Sequence, residues 1–421
     1  MNADRRTADL YQWYASLAEA SFWVPVFFLY FASYMPLDAV LSLEALYFLS
    51  VVTIEVPSGW LADRVGRRPT MLAGAVLMAA SHLMLFTGPW LMAGDSMGSP
   101  LFIFFAIGQG LRAAGVAFRS GTDTALHHDA LAACGKVNEF AAREARASKR
   151  RFLGASAAAL IGGGVAAIDL RLPYACSFIV AVAMIVVIAR MREPSAGADA
   201  RTRSNILSQA ASCFALWKSP ALLLLFVFAA MMLVLNHVPY EYFQPYIEAS
   251  LGQDGLAVAS TPLVTGLHVA VTFWIASLIS ARSIRIRNRV GLWGVLLIAM
   301  SLQVLTIGLM SLWLSPLIVV FLLLRSCPRA IMTPPLNAAV TGAVPTKLRA
   351  TYLSLQSFAG RLSFSGALFM LTFVVPAAAV TSWPTIRAQL ELAALGSLAF
   401  LAFIVVVAII RRRRDDQIGV A

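Results

Sequence analysis

The sequence predicts an all-α integral membrane protein with twelve transmembrane helices in two six-helix bundles. Of its 421 residues, 59% are hydrophobic and only 13% are charged, whereas soluble domains are nearer half apolar and a quarter charged. Apolar stretches of about 18 to 25 residues, long enough to cross a hydrocarbon core of about 30 Å, recur along nearly the whole chain. Most charged residues lie between these stretches.

The borders of the apolar stretches place the twelve helices. Their predicted ranges are 16–34, 39–60, 70–92, 101–127, 152–168, 173–190, 220–246, 257–281, 290–314, 316–341, 350–375 and 390–410. The longest polar interruption, 191–219, divides them six and six. It predicts an N-terminal bundle at 1–192, a cytoplasmic linker at 193–219 and a C-terminal bundle with a basic tail at 220–421. Lys149-Arg150-Arg151 opens the fifth helix much as Lys347-Leu348-Arg349 opens the eleventh, which favours pseudo-symmetric halves.

The net charge of +12 predicts topology rather than nucleic-acid binding. If both termini are cytoplasmic, 26 of the 33 Lys and Arg residues fall on that side and two, Arg171 and Arg387, fall on the other. This asymmetry follows the positive-inside rule. We expect a multi-pass monomer in the cell inner membrane, with the lipid bilayer as a partner and both termini cytoplasmic.

The four cysteines show no CxxC spacing, so the sequence predicts no metal site, disulfide or cofactor.

One charged loop stands out between the second and third helices. It reads Gly59-Trp60-Leu61-Ala62-Asp63-Arg64-Val65-Gly66-Arg67-Arg68-Pro69. Gly59 would let two helices pack closely and Gly66 would permit a tight turn. Asp63 can meet the unpaired N–H groups at a helix N-terminus, which carry partial positive charge.

This loop resembles the signature loop of the major facilitator superfamily (MFS) of secondary transporters, and with the six-plus-six topology the resemblance covers the whole chain. It implies the MFS fold and a contact between Asp63 and the eleventh helix, which begins near Arg349. It also implies that Arg67 reaches Asp123 at the end of the fourth helix. The gate residues assigned on this basis are Gly59, Asp63, Arg64, Gly66, Arg67, Arg68 and Asp123. The alternative is that the arginines only anchor the loop to lipid headgroups.

The corresponding loop of the second half runs from Ser280 through Asn288 to Arg289. It contains four arginines and no acid. We therefore expect asymmetric gating, dominated by the first-half loop. Two signatures of drug/proton antiporters are absent, since Ala106 replaces their Arg before Gln109-Gly110 and the fifth helix has no Pro. These departures weaken a multidrug-exporter assignment.

Three arginines lie about 14 to 16 Å along their predicted helices, near the middle of the bilayer. An ionisable side chain at this depth is a functional candidate by default. The substrate site predicted from them, with two polar residues of the seventh helix, comprises Arg112, Arg325, Arg361, Tyr240 and Gln244. Guanidinium groups suit a carboxylate or phosphate. The alternative is that each arginine pairs with an acid such as Glu44 or Glu55.

The outer end of the seventh helix, residues 236–246, is unusually polar and aromatic. His237 and Glu241 share a face at i and i+4, and Pro239 should bend the helix. With Glu44 and Glu55 they are the candidates for proton coupling. The alternative is an interfacial aromatic belt with a snorkelling Glu241.

These features predict a secondary active transporter that moves a small, anionic organic solute by alternating access, with protons as coupling ion. Export of drugs or metabolites and import of an organic anion such as a ferric siderophore stay open. A non-transporting sensor or assembly partner of the same fold is the alternative outside this class. We expect no enzyme activity, because neither a nucleophile–base pair nor a metal-spaced cluster occurs.

Overall fold

The structure, a computed structural model, describes residues 3–35, 37–91, 99–194, 206–259, 262–374 and 383–418. Every one of the twelve predicted segments contains helix, and no strand occurs in the described ranges. Nine helices of this part of the chain are long and apolar enough to cross a membrane. The all-α membrane fold class is confirmed.

The described part of the first half contains eight α-helices. They are α1 Ala3–Ala18, α2 Phe27–Ala32, α3 Leu37–Val65, α4 Arg67–Leu91, α5 Ser99–Arg119, α6 Thr122–Ala133, α7 Phe140–Ala166 and α8 Leu172–Ala189. The remaining α-helices of the described ranges are α9, which precedes the second half, and those of the second half itself. They are α9 Ile206–Ala215, α10 Pro220–Ala259, α11 Pro262–Ser280, α12 Ser283–Leu312, α13 Pro316–Phe321, α14 Cys327–Ala343, α15 Arg349–Val374 and α16 Trp383–Ile418.

The first predicted span is not one continuous helix. It is divided into α1 and α2 by a stretch that includes a 3-10 turn at Val24–Val26. Pro25 has no N–H with which to continue an α-helix. The prediction of an unbroken helix over 16–34 is therefore wrong, and the break frees the carbonyl of Ala18 from helical hydrogen bonding.

Two further spans differ from their predicted bounds. The fourth is divided into α5 and α6 at Gly121, whose φ of 69° favours glycine. The fifth begins at Phe140 rather than near residue 152. Its first turns are too charged to be read as a membrane span, but their Ala, Arg, Glu and Lys residues favour helix.

The two halves meet most extensively along two helix pairs, α3 with α15 and α7 with α11. Glycines permit both approaches. A Cβ on Gly163 of α7 would lie 2.5 Å from the carbonyl oxygen of Pro262 and 3.0 Å from the Cα of Gly266 in α11. Small residues at a crossing let helix backbones approach closely in membranes.

Candidate functional site

Asp63, at the end of α3, caps the N-terminus of α15 in the opposite half. Its Oδ2 accepts hydrogen bonds from the backbone N–H of Thr351 at 2.9 Å and from the Thr351 hydroxyl at 2.7 Å. The linker residue Gln209 also donates to this oxygen, at 3.1 Å. Because the first N–H groups of a helix lack intrahelical partners, a carboxylate there is stabilised. The buried Asp63 thus joins both halves and the linker.

Close packing brings α15 to this point. A Cβ on Gly59 would lie 2.6 Å from the Ser354 Oγ and 2.8 Å from its Cβ. A Cβ on Gly121 would lie 2.7 Å from the Cβ of Leu353. The Ser354 hydroxyl donates to the carbonyl of Ser120 at 3.2 Å. The end of the molecule that carries these contacts, here named the gate end, is closed.

Arg67 adds an ionic bridge at the gate end. Its guanidinium pairs with Asp129 of α6 and donates to the carbonyl of Thr346 at 2.7 Å, across the two halves. Asp129 also accepts a hydrogen bond from Arg349 at 2.5 Å. Asp129 is therefore a shared acceptor for one arginine from each half.

The expected contact between Arg67 and Asp123 is wrong. Asp123 instead pairs with Arg151 at 2.9 Å and accepts from the N–H of Thr124 at 2.7 Å, in the first turn of α6. Asp129 lies six residues later, which rotates it by about 240° to another face of the helix. Asp129 was not predicted from the sequence, although a second acid in α6 was a signal for it.

The other loop residues act within the first half. Gly66 has a φ of 122° between α3 and α4, a conformation that favours glycine. Arg68 donates to the carbonyls of Ile188 and Ala189 at the end of α8, at 3.3 and 2.8 Å. The exposed Arg64 lies over the ring of Trp60, 5.1 Å from its centroid.

Arg112 lies within α5, in the fourth predicted span, and Arg325 lies just before α14, in the tenth predicted span. The Arg112 Cζ lies 4.2 Å from the ring centroid of Trp23, in the break of the first span, and 4.0 Å from that of Tyr47 in α3. The Arg325 Cζ lies 4.2 Å from the ring centroid of Phe243 in α10, the first helix of the second half. Both guanidinium groups are buried against aromatic faces, a favourable cation–π arrangement.

The two arginines differ in their hydrogen bonds. Arg325 donates to the Thr272 hydroxyl at 2.8 Å and contacts His268 Nδ1 at 3.2 Å. Since arginine can only donate, His268 accepts at Nδ1, and its Nε2 faces the carbonyl of Val319 at 3.4 Å. Arg112 is different, because its Nε and Nη1 are buried with no acceptor among the described residues.

Arg112 belongs to a mixed-charge cluster. It comprises Glu44, Tyr47, Arg112, Tyr240 and Glu241. Glu44 interacts electrostatically with Arg112 and with Glu241. Tyr240 interacts electrostatically with each of the other four members. One oxygen of Glu241 is buried without a hydrogen-bond partner in the described structure. The cluster therefore combines one cation and two carboxylates from both halves.

Other predicted site residues lie apart from this cluster. Arg361 of α15 lies 3.6 Å from the fully buried Glu55 of α3, and it donates to Ser357 at 3.2 Å. This geometry favours the alternative in which an arginine pairs with an acid. His237 donates through Nδ1 to the carbonyl of Leu233 at 2.7 Å, which leaves its Nε2 as acceptor. The side chain of Gln244 lies outside the described residues.

Three charged residues near the break of the first span were overlooked. Arg119 donates to the freed carbonyl of Ala18, and its Nη2 lies 3.5 Å from Glu19. Arg329, exposed on α14, lies 6.0 Å from the Phe152 ring centroid and acts electrostatically on Glu19 of the first half and on His237 of its own half. Arginine inside a predicted span was the available signal for Arg119 and Arg329.

No protein-family model and no curated protein sequence matches the chain. The human organic anion transporter MFSD10 has a similar structure, with a TM-score of 0.69, 16% identity and coverage of 96% of this chain and 100% of that one. FucP, an MFS transporter in the outward conformation, has a TM-score of 0.67 and 14% identity, with coverage of 95% of this chain and 98% of that one. A bacterial homologue of the iron transporter ferroportin, in its outward-facing state, has a TM-score of 0.65 and 14% identity, with coverage of 96% of this chain and 99% of that one. The chain therefore has the major facilitator superfamily fold.

Proposed function

We propose that the protein is a secondary active transporter that carries a small organic anion by alternating access. The observation that supports this best is the buried guanidinium of Arg112, which has stacking partners but two nitrogens with no acceptor among the described residues. A buried cation of this kind is costly unless an anion satisfies it. A carboxylate or phosphate would complete its hydrogen bonding in a planar, two-point contact. The human neighbour MFSD10 is itself described as an organic anion transporter.

Closure at the gate end supports the alternating-access part of the proposal. Asp63, Asp129 and Gly59 each join the first half to α15 or to the segment before it. These contacts are discrete, so they can be made or broken as a set. The units 1–192 and 220–421 then rock against each other, connected by 193–219, with the gate end and both termini at the cytoplasmic side of the inner membrane.

The mixed-charge cluster supports proton coupling. It holds two carboxylates and one guanidinium, so an anion that binds Arg112 leaves Glu44 and Glu241 as uncompensated neighbouring acids. Like charges that lie close together disfavour ionisation of both. Binding of a substrate anion then favours uptake of a proton by the pair. Substrate and proton would therefore move together, as in a symporter.

A ligand-stabilisation screen of the purified protein over organic acids and phosphates tests the anion site, because a ligand that binds the folded state raises the melting temperature. The best anion is then assayed in proteoliposomes with and without a pH gradient.

We expect Arg112→Ala to weaken the affinity of the protein for this anion by about tenfold to a hundredfold. This corresponds to the loss of one charge-assisted contact of about 1.5–3 kcal/mol. Arg285→Ala, on the exposed surface of α12, serves as the matched arginine control. Normal affinity in Arg112→Ala would refute the anion site.

A further inference from the structure

A basic groove lies at the gate end of the first half, with a volume of about 560 Å³. Arg6 of α1 forms one wall, the segment that follows α8 forms the other, and Arg68 at the start of α4 lies between them. Four of its seven lining residues are arginines and one, Glu193, is an acid. The groove therefore carries a strong positive charge that the transport cycle proposed above does not use.

Hydrogen bonds fix the walls of the groove. The Thr7 hydroxyl donates to the carbonyl of Arg192 at 3.2 Å, and the N–H of Arg192 donates back to that hydroxyl at 2.9 Å. The Glu193 carboxylate accepts from the backbone N–H groups of Arg67 and Arg68, each at 2.8 Å. The acid is thus occupied at the N-terminus of α4, and it cannot freely neutralise the arginines.

Three guanidinium groups remain directed to the surface. Arg6, Arg190 and Arg192 are exposed, and within the described ranges no ion pair or side-chain hydrogen bond engages them. Like charges in one groove repel each other, and an anion bound between them would relieve that repulsion. The planar guanidinium fork matches phosphate geometry.

The surface beside the groove is apolar. Ile179, Val182 and Val186 of α8 are 65%, 40% and 44% exposed, and α8 is a candidate membrane span. Arg190 follows Val186 by four residues, so the exposed apolar face of α8 leads directly to the groove. A ligand with a phosphate headgroup and long apolar chains fits both surfaces, whereas a free phosphate would use only one.

We propose that this groove binds the phosphate of an anionic phospholipid. Arg6, Arg190 and Arg192 hold the phosphate, and an acyl chain lies along Val186, Val182 and Ile179. The bound lipid connects α1 with α8 at the gate end of the first half. The site depends on geometry and charge alone, so it stands independently of which solute is transported.

Native mass spectrometry of the purified protein, titrated with phosphatidylglycerol in a neutral detergent, tests the site. We expect the double variant Arg190→Gln/Arg192→Gln to bind this lipid about 30-fold more weakly, at about 1 kcal/mol for each arginine near a charged lipid surface. The matched control, Arg285→Gln/Arg289→Gln, removes two exposed arginines from the other half and should retain the affinity. Phosphatidylcholine should bind wild type and double variant equally.

Equal affinity of the wild type and the double variant for phosphatidylglycerol would overturn the proposal. So would displacement of the lipid by glycerol 3-phosphate at matched concentration, since that outcome identifies a site for soluble phosphates. The melting temperature in lipid-free detergent shows whether the double variant is folded. If it is not, Arg6→Gln on the opposite wall decides the question, with an expected loss of about fivefold.

Discussion

The Asp63 carboxylate and the N-terminal turn that contains Thr351 are joined by two hydrogen bonds, although the two residues lie 288 positions apart in the chain. One bond comes from a backbone N–H and the other from a hydroxyl, so the carboxylate is held at a defined point on the axis of α15. Gln209 of the linker donates to the same oxygen. The closed gate end therefore depends on one acid that three segments share.

Replacement of Asp63 by Asn should slow transport while leaving substrate affinity largely intact. The amide oxygen of Asn can still accept hydrogen bonds, but the substitution removes the charge that interacts with the helix N-terminus and with Arg67. A hydrogen bond to a charged group contributes about 1.5–3 kcal/mol, which would shift the gate equilibrium about tenfold or more. Initial uptake rates in proteoliposomes measure the effect, with ligand affinity measured in parallel.

The control for this variant is Asp123→Asn, because Asp123 pairs with Arg151 within the first half. It should affect transport less than Asp63→Asn. An unchanged flux in Asp63→Asn would remove Asp63 from the gate.

Substitution of Gly59 by Ala should prevent full closure of the gate end. The added Cβ would lie 2.6 and 2.8 Å from two atoms of Ser354, closer than real Cβ contacts allow. The matched control is Gly342→Ala in α14, where no atom lies within 4 Å of the added Cβ. Spin-label distances between α3 and α15 at the gate end should lengthen only in the Gly59 variant.

Removal of the Ser354 side chain tests whether its clash with the added Cβ keeps the gate end open. Gly59→Ala combined with Ser354→Gly should partly restore the short distance, since the two closest atoms are gone. A double variant that stays as open as the single one would place the defect elsewhere.

The sequence was sufficient to predict the elements that depend on local chemistry. Apolar length placed most of the helices, and the carboxylate of Asp63 indicated a contact with a helix N-terminus. The family resemblance, not local chemistry, named the eleventh helix as its partner. The sequence did not predict which acid Arg67 reaches, because the choice of Asp129 over Asp123 depends on the rotation of α6 after Gly121. It also did not predict the break of the first span, where Pro25 and the Arg119–Ala18 contact act together.

Burial explains the other differences. Arg361 and Arg112 look alike in the sequence, as single arginines in apolar helices. Their environments differ because Glu55 lies opposite Arg361 in the folded protein, whereas aromatic rings surround Arg112. Such pairings across halves are set by helix rotation, which hydropathy does not specify.

The Arg361–Glu55 pair should be mainly structural. Glu55 is completely buried, so Arg361→Ala leaves an uncompensated carboxylate and should destabilise the protein by about 3–5 kcal/mol. The double variant Arg361→Ala/Glu55→Gln should recover much of this loss, because the buried charge is gone. Thermal unfolding in detergent measures both. If the double variant is no more stable than the single variant, the two residues are not coupled.

Glu241→Gln should separate substrate movement from the proton gradient. Glu241 has one buried oxygen without a hydrogen-bond partner in the described structure, and it interacts electrostatically with Glu44 across the halves. Gln cannot bind or release a proton, so the pair keeps a single titratable acid. Uptake in proteoliposomes should then respond less to an imposed pH gradient, whereas exchange between equal substrate pools should continue. Glu391→Gln, an exposed acid paired with Arg387, is the control. Full gradient dependence in Glu241→Gln would assign Glu241 to the aromatic belt instead.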